Sequence, residues 1–228
     1  MFNSKLIAEV LTKRGLDKTA IEIPEDDFDY TFINTENAKD RFIHNIIHAN
    51  KKVGVLIDVD VDGLASGKII VDYVKKLGAR CIYMVNKGKV HGLNDDVINW
   101  VKDNKIEYLI VVDAGTKDKK YFKELNELGV DVLVLDHHEA EVEDLINTGN
   151  TIVLNCSYEG SKNPYLSGAG VVYKFIKDVN EYININIDNY KTWVGLSVIS
   201  DSCNVLNPEN RYYINYLYTY YKNDTLLC

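Results

Sequence analysis

The chain has 228 residues, 46% hydrophobic and 26% charged, with a formal net charge of −8 at pH 7. Such a length suits one large domain, or one domain with a small appendage, and the apolar content allows a sizeable core without covalent staples. The acidity excludes an overall basic footprint for nucleic acid, although a narrow basic groove remains open.

In chain order, residues 4–14 carry apolar positions at helical spacing, with Ser4 as cap and Gly15 as stop. Residues 22–35 are acidic and irregular, and 36–50 read as a second helix. On it His44 and His48 stand four apart on one face; without a Glu between them such a pair is more often surface or half-buried than metal-ligating. Residues 1–50 are therefore expected to form a helical appendage packed on a core that begins at residue 51. From residue 52 strands and helices alternate, with strands at 53–58, 80–85, 107–113, 130–135 and 151–154 and helices at 65–77, 94–102, 119–128 and 140–146. Gly78, Gly129 and Gly149 fall where helices end. Short strands, apolar on both faces and joined by helices, imply an α/β fold. The sheet should have about five mainly parallel strands covered by helices on both faces. After residue 165 the pattern is helical, at 167–178, 188–199 and 208–222, with Pro208 in a first turn. The four cysteines, Cys81, Cys156, Cys203 and Cys228, contain no C-x-x-C pair, which argues against a zinc ribbon and fits a reduced setting. With no leader-like N-terminus and no apolar run of spanning length, a cytoplasmic protein without membrane contact is the default expectation.

The most informative stretch is Asp58-Val59-Asp60-Val61-Asp62-Gly63, at the end of an apolar strand. Alternation along a strand would put the three carboxylates on one side, where they repel each other unless a cation sits among them. In open α/β sheets ligands bind beyond the carboxyl ends of the strands. Asp113 ends one predicted strand, Asp136-His137-His138 follows another, and Asp201 closes an apolar helix. Each feature alone is weak: Asp62-Gly63 is a turn signal, Asp113 a strand-to-loop junction, the His pair a loop feature. Together they bring carboxylates and imidazoles to one edge. Oxygen ligands with one or two imidazoles favour Mn²⁺ or Mg²⁺ over a thiolate zinc site. The carboxylates suffice for two ions ~4 Å apart with a shared Asp, a pair suited to phosphoester hydrolysis.

Asp136-His137-His138 resembles the signature of the DHH phosphoesterases, and Asp58-Val-Asp60-Val-Asp62-Gly63 and Val111-Val-Asp113-Ala-Gly115-Thr116 are similar to their first two motifs. Leu166-Ser-Gly-Ala-Gly-Val-Val-Tyr-Lys-Phe175 and Ile199-Ser-Asp201-Ser-Cys-Asn-Val-Leu-Asn-Pro-Glu-Asn-Arg211 resemble the RecJ branch, single-strand-specific 5′→3′ exonucleases. The resemblance implies a DHH catalytic domain over 51–228. It implies that Asp60 and Asp62 each face one of two metals, Asp113 bridges them, and His137 and Asp201 complete the second site. His138 would contact the scissile phosphate, Asp136 would orient the histidines, and Asp58 would be a further ligand or a helper. The loop Lys89-Val90-His91-Gly92-Leu93 falls where relatives place a substrate-facing segment, making His91 a candidate phosphate contact. Ser167 and Gly168 open a helix and would offer N–H groups to a substrate anion. Two departures stand out: Leu56 replaces a His found in some members, and the smaller C-terminal substrate-binding domain is absent from the sequence. The expected function is a metal-dependent phosphodiesterase of the RecJ-like 5′→3′ exonuclease type that hydrolyses single-stranded nucleic acid, DNA or RNA, through a metal-bound hydroxide. Short oligonucleotides, cyclic dinucleotides or pyrophosphate are alternative substrates. A non-catalytic scaffold, or a subunit whose partner supplies the second domain, is the alternative of another class.

Overall fold

The computed structural model describes residues 4–16, 18–22, 24–26, 28–88 and 91–222; Cys228, and Lys89 and Val90 of the loop expected to face substrate, lie outside it. Helices α1 (Ser4–Lys13) and α2 (Thr35–Ile43) precede an alternation of β1 (Val53–Ile57), α3 (Val61–Lys76), β2 (Cys81–Val85), α4 (Asp95–Asn104), β3 (Tyr108–Val112), α5 (Lys119–Glu127), β4 (Asp131–Asp136) and β5 (Thr151–Asn155). Three helices follow, α6 (Gly168–Asn180), α7 (Tyr190–Ser200) and α8 (Pro208–Lys222). The strands form one five-stranded sheet in the order β2-β1-β3-β4-β5, parallel throughout. The chain moves from β1 to one neighbour and then crosses to the other, so the strand order reverses beside β1, and a crevice opens there at the carboxyl edge.

Side chains of the central strands alternate between two cores. Val53, Val55, Ile57, Tyr108, Ile110, Val112, Leu133 and Leu135 face α2, α3, α6 and α7 through Phe42, Ile69, Tyr73, Phe175 and Tyr190. Leu56, Leu109, Val111, Val132 and Val134 face α4 and α5 through Val97, Val101, Phe122 and Leu125. Leu56 is thus a core residue under α4 and α5. Among the described residues no helix is long and apolar enough to cross a membrane.

Three elements differ from the sequence reading. Helix α3 starts at Val61 rather than at 65, because Asp60 caps it: its Oδ1 accepts the Gly63 N–H at 2.8 Å. Asp58, Asp60 and Asp62 therefore do not share one strand face; they are a strand end, a helix cap and a first helical turn. The helix expected over 140–146 contracts to a 3-10 turn, Val142–Leu145. Ala140 N–H is tied to Ser157 C=O at 3.0 Å, and Leu145 is the buried anchor of an otherwise acidic run. The second helix ends in a π-helical turn, His44–His48, whose His44 lines a cleft with Asn147, Gly149 and Ile152 by the start of β5.

In α6, burial pushes the Asp178 carboxyl up to about 6, against the attraction of Lys174. The folded value lies above the unfolded one, so the protonated form is favoured below ~4 and that stabilisation is lost as pH rises through 6. Asp178→Asn should raise the thermal midpoint at pH 8 and leave it unchanged at pH 4. Equal midpoints for parent and variant at pH 8 would refute this.

Candidate metal centre

Strand register sets up the site. Ile57 pairs with Val112, and Val112 with Leu135, so the residues that follow, Asp58, Asp113 and Asp136, stand in one row at the carboxyl edge. Asp113 extends the ladder by donating its N–H to Leu135 C=O at 2.9 Å, then turns at φ 60. This left-handed backbone is unusual for a residue with a side chain, and Asp is among those that tolerate it. The turn carries the carboxylate against the start of α6, where Gly168 leaves room: a Cβ at Gly168 would collide with Asp113 Oδ1.

Asp62 is buried in the first turn of α3 and meets four donors. The N–H groups of Gly168 and Ala169 reach its two oxygens at 2.8 Å each, Ser197 Oγ donates at 2.7 Å and Ser66 Oγ at 3.4 Å. The helix N-terminus of α6 thus holds an anion, but that anion is Asp62 of the chain itself. Ser167 and Gly168, expected to face a substrate anion, are buried. The Ser167 hydroxyl accepts from Gly170 N–H and donates to Ser197 Oγ, whose own proton goes to Asp62.

His137 places Nδ1 3.0 Å from Leu166 C=O, so that nitrogen carries the proton and Nε2 presents a lone pair. Nε2 stands 3.1 Å from Asp113 Oδ1 and 3.6 Å from Asp62 Oδ2, while Asp201 Oδ2 is 3.9 Å from the ring. The approach to Asp113 lacks hydrogen-bond geometry, and Asp113 Oδ1 is buried without a partner. Burial raises Asp113, with Asp62 adding to the rise. Burial would lower His137, but the carboxylates of Asp113 and Asp62 override it and raise the ring.

Asp136 is buried and gathers Thr116 N–H at 3.0 Å, the N–H groups of His137 and His138 at 2.7 and 3.2 Å, and His138 Nδ1 at 2.8 Å. Burial alone would raise this carboxyl; His138 and Thr116 hold it well below the usual range. Asp136 in turn raises the His138 ring above its ordinary value. Asp136 therefore orients His138 and both backbone amides, whereas Leu166 orients the His137 ring. Asp58 is buried, with Oδ2 2.7 Å from His91 Nδ1 and Oδ1 without a partner, and Asp60 is exposed at its cap.

The rim fits divalent cations. Ligand atoms of Asp58, Asp60 and Asp113 lie within 4.8 Å of one another, as do those of Asp62, His137 and Asp201, and those of Asp113, His137 and His138. Asp58 and Asp113, each with a buried Oδ1 that no donor meets, belong to these groups. An uncompensated buried oxygen anion is costly, and a hard cation is the partner that relieves it.

The sequence reading missed Ser197, the Leu166 carbonyl, Thr116 and Asn155. Asn155 Nδ2 donates to His138 C=O and to Thr116 Oγ1, at 2.9 Å each. Asn155 ends β5 and so showed the polar-at-the-end-of-an-apolar-run signal used for Asp113 and Asp201, whereas Ser197, inside the apolar α7, showed none.

An open parallel sheet whose carboxyl edge gathers buried aspartates and an oriented imidazole defines an α/β protein with a rim able to hold a divalent cation. Comparison with known sequences makes this specific. The profile described as DHH family, N-terminal domain, matches residues 52–196, and the chain belongs to that family. It is 32% identical over 223 residues to the SPbeta prophage-derived YorK of Bacillus subtilis (strain 168), named as a single-strand DNA-specific exonuclease; the match spans 94% of this chain and 37% of YorK. The single-stranded-DNA-specific exonuclease RecJ of the same organism is 28% identical over 180 residues, 74% of this chain and 22% of RecJ. The chain thus corresponds to well under half of either relative. Among solved structures, exonuclease RecJ bound to manganese aligns over 83% of this chain and 48% of its own, with TM-score 0.71 and 21% identity. RecJ from Thermus thermophilus in complex with Mn²⁺ aligns over 91% and 30%, with TM-score 0.67 and 19% identity. These likenesses carry the fold.

Proposed function

We propose that this chain is the phosphodiester-cleaving domain of a single-strand-specific 5′→3′ DNA exonuclease that uses two divalent ions, Mn²⁺ or Mg²⁺. The observation that carries the reading is the set of donor-less buried oxygens of Asp58 and Asp113 beside the open Nε2 of His137. Asp58, Asp60 and Asp113 would hold one ion, and Asp62, His137 and Asp201 the other, with Asp113 between. Bound there, the ions would supply an activated water and neutralise charge on the phosphoryl group. The protein's own part is orientation. Leu166 C=O fixes the His137 tautomer, and Asp136 aims His138 Nε2 outward, where it donates to a phosphoryl oxygen. Short oligonucleotides are a second reading, favoured by a cleft of only about 290 Å³ beside His138.

The test is release of label from a 5′-labelled single strand with Mn²⁺, beside the duplex form and an Asp113→Asn control. Failure of the Mn²⁺-bound parent to cleave any phosphodiester would end the proposal. His138→Ala should keep the Mn²⁺-induced rise in thermal midpoint while kcat falls ~10²–10⁴-fold. Loss of that thermal response would make His138 a metal ligand instead.

A further inference from the structure

The loop that follows Asp201 buries little of itself. Ser202 turns at φ 54, and Asn204, Val205 and Leu206 are exposed before α8 begins at Pro208. The first turn of α8 is what fixes it. The Asn210 side chain is completely buried, and its Nδ2 donates to two backbone carbonyls, Asn204 C=O at 3.1 Å and Tyr165 C=O at 2.8 Å. Arg211 Nη1 adds Val205 C=O at 3.0 Å and Leu206 C=O at 2.7 Å. Glu209 Oε2 accepts from Asn163 Nδ2 at 2.9 Å, and Asn163 Oδ1 accepts Tyr165 N–H at 3.1 Å.

The two carbonyls on Asn210 belong to segments that border the same cation position. Tyr165 precedes Leu166, whose C=O sets the tautomer of His137, and Asn204 lies three residues beyond Asp201. His137 and Asp201 form one converging group with Asp62. Asp62 is already held by its four donors, and α7 ties the Asp201 N–H through Ser197 C=O at 2.9 Å. Across the gap, however, the Asp201 carboxylate stands 3.9 Å from the His137 ring, too far for a bond of its own. One NH₂ group joins the segments behind the two ligands. From this juxtaposition we infer that Asn210 is a positioning residue for the ion between His137 and Asp201, acting by holding Tyr165 and Asn204 at a fixed separation. The inference rests on the two-ion reading under Proposed function and gives the start of α8 a part in cation affinity. An amide suits the task because its nitrogen offers two donors; a hydroxyl can serve only one carbonyl.

The test is calorimetric titration with Mn²⁺ of ion-free parent, Asn210→Ala, Asn210→Ser, Asp201→Asn and the double variant Asn210→Ala/Asp201→Asn, below every unfolding transition. Arg211 is left intact because it also donates to Thr19 and Glu22 C=O, and its loss would loosen the N-terminal segment. Parent should take up two ions. In Asn210→Ala one of them should bind ~10–100-fold more weakly, the range expected when a ligand loses its support, and the other at parent affinity. Asn210→Ser should fall between the two, and decides the matter if the Ala variant does not fold. The double variant should match Asp201→Asn, because the support has no effect once its ligand is gone. A purely structural Asn210 predicts a lower ion-free thermal midpoint with both Mn²⁺ affinities unchanged, and that result would overturn the inference. Additive losses in the double variant would also overturn it, by placing the effect of Asn210 away from Asp201. A parent that binds two Mn²⁺ but cleaves no phosphodiester would remove the exonuclease reading alone, and the titrations would still decide the place of Asn210. A parent that takes up no Mn²⁺ would overturn both.

Discussion

Asp113→Asn is expected to abolish Mn²⁺-dependent cleavage, with kcat/KM down ~10³-fold or more, while the ion-free protein stays as stable as the parent or gains stability. The choice of Asn matters. Asp113 sits at φ 60, where Ala would be strained and Asn is not, so the backbone turn survives the change. What is removed is a charge that burial disfavours and an oxygen that no donor meets. In the absence of cation that charge is a liability, and an amide relieves it. With Mn²⁺ the sign reverses. Parent protein at ~100 times its dissociation constant should gain ~2.7 kcal/mol by mass action, seen as a raised thermal midpoint that a chelator reverses. The variant should lose most of that shift, because Asp113 belongs to two of the three groups that can surround an ion. A variant with a full Mn²⁺ shift, or with parent-like turnover, would remove Asp113 from the centre.

The fold was legible because its signals are local. Tyr108–Val112, and the interior of Asp131–Asp136, are rich in Val, Leu and Ile on both faces, as a strand covered by helices requires. The convergence of Asp58, Asp113 and Asp136 was legible for the same reason: parallel register and the rule about strand ends suffice to put them in one row. The sequence could not show which oxygen meets which donor. Asp62 was read as one of three carboxylates on a single strand face, yet the start of α6, more than a hundred residues away, takes both of its oxygens. Ser167 and Gly168 were read as open N–H groups for the same reason, since a helix N-terminus looks alike whether its anion comes from substrate or from the chain. The cap at Asp60 was hidden because Asp58-Val-Asp60-Val-Asp62 also fits strand alternation, and only the Gly63 N–H decides between the two.

The same substitution one position along the rim should act in the opposite direction. Asp62→Asn is expected to lower the thermal midpoint in chelator by roughly 5–10 °C, a loss of ~2–3 kcal/mol for a chain of this size. Gly168 N–H points at one oxygen and Ala169 N–H at the other, so an Asn amide must turn its NH₂ toward one of them whichever way it flips. A buried donor then faces a donor, and the Ser197 hydroxyl must turn or go unpaired. The charge that complements the N-terminus of α6 is also lost. One term opposes these: burial raises Asp62, so removing its charge returns some desolvation energy. The hydrogen bonds should win, because Asp62 meets four donors where Asp113 meets none. Ser197→Ala, which removes one of the four, should cost about 1 kcal/mol and give an intermediate midpoint. Measured together in chelator, Asp113→Asn and Asp62→Asn must move the midpoint apart. Equal shifts of the same sign would mean that hydrogen bonding does not distinguish these two carboxylates, and the division of the rim into a pre-satisfied Asp62 and a cation-seeking Asp113 would fail.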